Sequence, residues 1–266
     1  MIQRVLKIYP TLLRIGFAEA VAYRAEFLVW MLSMTLPLVM LAIWSAVARE
    51  GAVGGFDTDR FTAYYLATLL VRQLTGSWVV WEMIREVREG TLSMRLLRPI
   101  HPLLAHSAES LAGIPLRAAF SIPIAIGALL ITSPAHHIHD PVIGLCAVAA
   151  FFGAWALNFS ISAMVGTLAL VFESSIAIWD LYLGMFFLFS GYLVPIALFP
   201  PMMGKIARVL PFAYLQSVPV EILTNTFSRT QAFEQLAIQW GYAALGLTCL
   251  VFLWQRNIKR FAAYGG

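Results

Sequence analysis

From residue 27 to residue 48 the chain carries no charged side chain. At ~1.5 Å of rise per residue, a helical stretch of that length crosses a ~30 Å hydrocarbon core. The pattern recurs at 61–80, where Arg72 is the one charge, and at 110–132, which holds Arg117, Pro115 and Pro123. It recurs again at 141–172, 181–199 and 236–254, none of which contains a charge. The hydrophobic pattern therefore predicts an all-α integral membrane protein whose residues 27–266 form six transmembrane helices. The 141–172 stretch exceeds what a bilayer core needs and predicts a tilted helix. Ahead of the spans, residues 1–26 follow helical periodicity, with Arg4, Lys7, Arg14, Glu19 and Glu26 in one broad arc. This predicts an N-terminal amphipathic interface helix lying on the membrane and kinked at Pro10.

Two stretches interrupt the apolar rhythm. Residues 82–109 form a charged elbow between the second and third spans. Its first part reads as a helix on which Glu82, Arg85, Glu86 and Glu89 share a face, pairing at i,i+3 and i,i+4. Gly90 stops that helix, and Thr91 is placed to cap a second one through Met94, Arg95 and Leu97. Pro99 and Pro102 end the second helix and start the next. The other stretch, 190–223, contains Pro195, Pro200, Pro201, Pro211 and Pro219 yet stays apolar. Backbone broken at membrane depth must be covered by protein or line a wet cavity, which predicts short re-entrant or interfacial helices on the outer side.

Composition sharpens the class: 60% of residues are hydrophobic and 12% charged, far more apolar than an ordinary soluble domain. The net charge of +4 does not point to nucleic acid, because the basic residues flank the spans instead of forming a patch. An even number of spans puts both termini on one side. That side carries Arg4, Lys7, Arg14, Arg24, Arg85, Arg88, Arg95, Arg98, Arg117, Arg256, Lys259 and Arg260, against Arg49, Arg60, Lys205, Arg208 and Arg229 on the other. The positive-inside rule then places the termini and the elbow in the cytoplasm of a bacterial inner membrane, and the loops 49–60, 133–141 and 200–235 outside. Charges scattered through the first 26 residues leave no apolar core for a cleavable signal, so the N-terminus is expected to be retained. Cys146 and Cys249 both lie in apolar segments and imply neither a disulfide framework nor a zinc site.

Candidate chemistry is sparse. The single Gly-Lys pair, Gly204-Lys205, is followed by Ile206 and lacks the glycine spacing of a phosphate-binding loop, so no nucleotide site, and no cofactor, is expected in this chain. His136, His137, His139 and Asp140 sit in one short loop with no second cluster, which leaves no metal site expected. No serine, histidine and acid set comes together for hydrolysis, so the chain does not read as an enzyme. Arg72 stands out, because a guanidinium near mid-span costs ~2.5–3.5 kcal/mol to insert and must face protein or water. Either it lines a pathway or it forms a buried pair with Glu173, Asp180 or Glu221.

Three features in this order resemble the permease subunits of ABC transporters of the type-2 (ABC-2) class, which include exporters of polysaccharide, lipid and drugs. They are the surface N-terminal helix, the elbow run ArgGluValArgGluGlyThrLeu at 85–92 with LeuLeuArgProIle at 96–100, and SerGlyTyrLeuValPro at 190–195 with PhePro at 199–200 and LeuProPhe at 210–212. The resemblance covers nearly the whole chain. It implies that the elbow is a coupling helix contacting an ABC ATPase subunit through Glu86, Glu89, Gly90, Thr91, Leu92 and Arg95. It also implies that Gly191, Pro195, Pro200 and Pro211 shape outer re-entrant helices, and that ATP and magnesium are bound by the partner ATPase. A pathway wider than six helices enclose calls for a homodimer or a heterodimer with a related permease, surrounded by membrane lipid. A secondary transporter would need coupling-ion sites at mid-membrane, often with internal repeats. A non-transporting membrane scaffold would have no use for the elbow.

Overall fold

A computed structural model describes residues 2–23, 29, 32, 35–172 and 175–260. In chain order its helices are α1 (Ile2–Ala22), α2 (Leu36–Ala48), α3 (Thr58–Thr75), α4 (Val79–Arg88), α5 (Leu92–Leu96), α6 (Pro102–Ala112), α7 (Ile114–Ile131), α8 (Pro141–Leu168), α9 (Ser175–Phe189), α10 (Pro201–Val209), α11 (Pro211–Leu215), α12 (Ser217–Leu223) and α13 (Arg229–Asn257). Among the described residues there is no strand, only an isolated bridge between Val53 and Phe56. Among the described residues, three helical stretches are long and apolar enough to cross a membrane: Pro102–Ile131, Pro141–Leu168 and Arg229–Arg260. The shorter α2 and α9 are also apolar. Most of the 27–34 stretch lies outside the described residues, as do Arg24, Glu26 and Glu173.

The central element is α8, which packs against α13, α4, α12, α3 and α9. Its buried positions are dominated by small residues, including Ala147, Ala150, Gly153, Ala154, Ser160, Ala163 and Gly166. Lipid offers no hydrophobic drive between helices, so close backbone approach and buried hydrogen bonds must hold them. At Gly153 an added Cβ would stand 2.7 Å from the side-chain oxygen of Gln239 on α13. The Gln239 amide donates to the Ala150 carbonyl at 3.1 Å and the Tyr214 carbonyl at 2.8 Å, joining α13, α8 and α11.

Several helix boundaries depart from the apolar pattern. The 61–80 segment is not one helix: α3 ends at Thr75, and α4 starts at Val79 and runs into the elbow. Thr-Gly-Ser at 75–77 is a run of weak helix formers, which the hydropathy pattern does not register. The break frees carbonyls inside the packed helices, and side chains take them up. Asn158 donates to the Thr75 carbonyl at 2.9 Å. Arg117, 3% exposed, donates to the Gly76 carbonyl and to the Ser110 carbonyl at 2.9 Å. Arg117, counted in the charge tally as an elbow-side cation, is thus a buried fork that repairs a neighbouring helix. Asp180, expected in a connection, lies within α9, which ends at Phe189 well before 199. The last helix begins at Arg229, where Ser228 and Gln231 form a reciprocal capping box.

The protein has two distinct ends. At one, Asp59 accepts the Ser133 amide at 3.1 Å and lies 3.3 Å from His136, while Asp140 pairs with Arg229. The loops expected outside therefore meet one another. At the other end α1 lies along α6, with Tyr9 and Ser107 hydroxyls 3.0 Å apart and Gly16 against Ala112. The helix continues through Pro10. The His101 ring is 5.7 Å from that of Trp254, which ties the elbow to the C-terminal end of α13.

Candidate functional site

The elbow folds as two short helices around Gly90, whose φ of +73° is open to glycine at no steric cost. Thr91 does not cap α5 with its side chain, which leans back toward the Glu86 carbonyl at 3.5 Å. Ser93 instead closes the turn by donating to the Gly90 carbonyl at 2.6 Å. Leu92, 1% exposed, anchors α5 in a cluster with Met83, Val87, Leu103, Leu170 and Trp254.

The charges are arranged differently from the helix-face expectation. No Arg85–Glu89 or Glu82–Arg85 ion pair forms among the described residues; Arg85, Arg88 and Glu89 are exposed. Glu82 and Glu86 turn inward, because α6 brings His106, Glu109 and, through α5, Arg95 to that face. Arg95 contacts Glu86 at 2.7 Å and Glu109 at 2.9 Å. Burial opposes the charge on Arg95, but Glu109 and Glu86 outweigh it and hold its pKa above the ordinary value. The His106 ring is fully buried. Its Nδ1 lies 3.4 Å from Glu109 Oε2 and 3.6 Å from Glu82 Oε2, and its Nε2 lies 3.4 Å from Glu86 Oε2. Neither ring nitrogen makes a hydrogen bond.

Of the six residues the resemblance implies for partner contact, the structure leaves Glu89 and Thr91 exposed, with Gly90 half-exposed at the turn. Glu86 and Arg95 face the internal cluster, and Leu92 is core. Sequence reasoning missed the apolar tip beside them, where Met94 is 66% and Leu97 81% exposed. Its signal was present as uncapped apolar residues between charges, but an exposed and a buried leucine look alike in sequence.

Arg72 has none of the acidic partners considered for it within the described residues. Glu221 is held by Arg208, both of its oxygens at 2.6 Å from the guanidinium, and Asp180 is exposed. The Arg72 guanidinium lies instead over the Phe186 ring, 4.9 Å from its centroid, and 6.0 Å from that of Tyr192. Aromatic faces attract a cation without carrying a charge of their own, so nothing in the charge pattern reveals them.

In the 190–223 segment Pro201 and Pro211 open α10 and α11 at first-turn positions, where the missing N–H costs nothing, and Pro195 and Pro200 precede helical turns. The turn before them, with Gly191 at φ +83°, is held by α3 and α2. Tyr64 donates to the Gly191 carbonyl at 2.7 Å, and Tyr65 and Trp44 to the Leu193 carbonyl at 2.8 and 3.2 Å. Each broken stretch of backbone thus finds a side-chain partner, as apolar surroundings demand.

The model of a family described as ABC-2 family transporter protein matches residues 28–265, nearly everything after α1. Among curated proteins nothing matches the chain.

Proposed function

The chain belongs to the ABC-2 transporter family, and from that premise we propose that it is the permease subunit of an ATP-binding cassette exporter, driven by ATP hydrolysis in a separate subunit. The family match over 28–265 carries the reading. Six spans, built on residues 27–48 and on α3, α7, α8, α9 and α13, cross the cell membrane, with both termini and the elbow in the cytoplasm. The outer helices α10–α12 cap the pathway, and α1 rides on the inner surface. Two such permeases, identical or related, enclose the route between them, and ATP with magnesium is held by the ATPase.

Coupling runs through the elbow. Gly90 makes a tight turn whose exposed rim combines Glu89 and Thr91 with the apolar tip of Met94 and Leu97. Apolar side chains ringed by charge suit insertion into a cleft of a partner, with the charges setting register. Arg72, in the last turn of α3 and over two aromatic rings, supplies a cation the substrate pathway can use. The test is copurification with the ATPase that accompanies the wild-type chain. The pair Met94→Asp and Leu97→Asp should reduce recovered ATPase at least about tenfold, as expected for anchors at an interface centre. Glu234→Lys, at the other end of the molecule, should leave it unchanged. Wild-type recovery with the Asp pair would make the elbow a mere connector.

A further inference from the structure

We propose that Glu82, His106 and Glu109 form a binding site for a first-row divalent metal ion, zinc being the ion the donor set fits best, which pins α4 to α6 beneath the elbow. This does not depend on the transport reading.

The geometry is that of coordination, not of hydrogen bonding. His106 Nδ1 faces one oxygen from each of Glu109 and Glu82 at 3.4 and 3.6 Å, and the three donor atoms lie within 4.8 Å of one another. A good N–H···O bond spans ~2.7–3.2 Å, so at these separations the ring makes none, and an imidazolium here would be held by charge alone. The two imidazole–carboxylate separations match edges of a coordination shell, since ligands held ~2.0–2.2 Å from zinc at tetrahedral angles stand ~3.3–3.6 Å apart. The buried ring nitrogens make no hydrogen bond, although a fully buried imidazole is costly to leave unpartnered. A metal on Nδ1 supplies the missing partner.

The surroundings also fit. Metal-bound histidines characteristically give their other ring N–H to a carboxylate. Here Nε2 faces Glu86 Oε2 at 3.4 Å, and that oxygen has no other partner. Arg95 then fixes the other Glu86 oxygen at 2.7 Å and Glu109 at 2.9 Å. With the imidazole neutral, as a metal ligand must be, three carboxylates against one guanidinium leave an excess of two negative charges, which a dication neutralises. One imidazole with two carboxylates favours zinc over magnesium or calcium, which take oxygen alone. Glu82, whose side chain is 37% exposed, leaves an entry path and a place for coordinated water.

The test uses the full chain purified in detergent, stripped with chelator and titrated with zinc chloride. The outer His136, His137 and His139 could take up zinc adventitiously, so a chain with all three changed to glutamine is titrated alongside. The expected result is one zinc per chain in both, and X-ray absorption at the zinc edge showing imidazole nitrogen with carboxylate oxygen. Glu82→Gln, which changes a partly exposed residue and so preserves folding, should weaken binding at least about tenfold. His106→Gln should abolish it. The proposal is overturned if the wild-type chain takes up no zinc, if the outer-histidine variant loses it, or if Glu82→Gln binds as the wild type does.

Discussion

Arg117 shows what a single buried cation can do in a membrane helix. Its donors reach the Gly76 and Ser110 carbonyls from a position only 3% exposed, between packed helices. Charged hydrogen bonds contribute ~1.5–3 kcal/mol each, so Arg117→Leu should destabilise the detergent-purified protein by about 3 kcal/mol or more. Arg117→Lys should restore less than half, because an ammonium cannot span two separated carbonyls as the guanidinium fork does. Equal melting temperatures for Arg117→Lys and wild type would show that charge alone matters. Arg72 works through aromatic faces instead. Replacing Phe186 with leucine removes the nearer ring and should lower stability by about 1–2 kcal/mol, with a smaller loss when Arg72 is already leucine. Additive losses in that thermal-unfolding cycle would sever the contact.

At the scale of elements, α10–α12 depend on the Arg208–Glu221 pair, reinforced by the Ser217 hydroxyl at 2.8 Å from Glu221. The Glu221 side chain is only 7% exposed. Arg208→Met alone strands that carboxylate and should cost about 3–5 kcal/mol, whereas Arg208→Met with Glu221→Leu should recover most of it. A double variant no more stable than the single in thermal unfolding contradicts this. These elements also mark how much could be read from the chain. Prolines at 195, 200, 201 and 211 announced short helices, and Gly90 announced the elbow's turn, because both act through their own backbone. The ionic cluster was legible only in halves: Glu82 and Glu86 are spaced for one helix face, as are His106 and Glu109. That the two faces meet depends on α4 packing beside α6, a contact between residues distant in sequence. The same holds for Arg117, whose partner carbonyl is freed by a break on another helix.

For the whole molecule, the two-ended arrangement sets the topology experiment. In a chain with Cys146→Ser and Cys249→Ser, His137→Cys should react with an impermeant thiol reagent on intact cells, and Leu97→Cys only after permeabilisation; the reverse would invert the orientation. The loop end also has a pH signature. The Arg229 hydrogen bond holds the Asp140 carboxyl below its ordinary pKa. A depressed carboxylate contributes stability above its unfolded pKa of ~3.9 and loses it as pH falls through the lower folded value. The melting-temperature difference between wild type and Asp140→Asn should therefore shrink from pH 6 to pH 3, and a constant difference would count against the pairing. Between the two ends, the interruption at 76–78 has a mechanical meaning. A continuous helix would carry a push on the elbow straight along α3, as a shaft does. The Thr75 and Gly76 carbonyls are tethered to Asn158 on α8 and Arg117 on α7; under the coupling proposed above, such a segment would act as a universal joint and turn a thrust arriving at Gly90 sideways, into the two helices beside it.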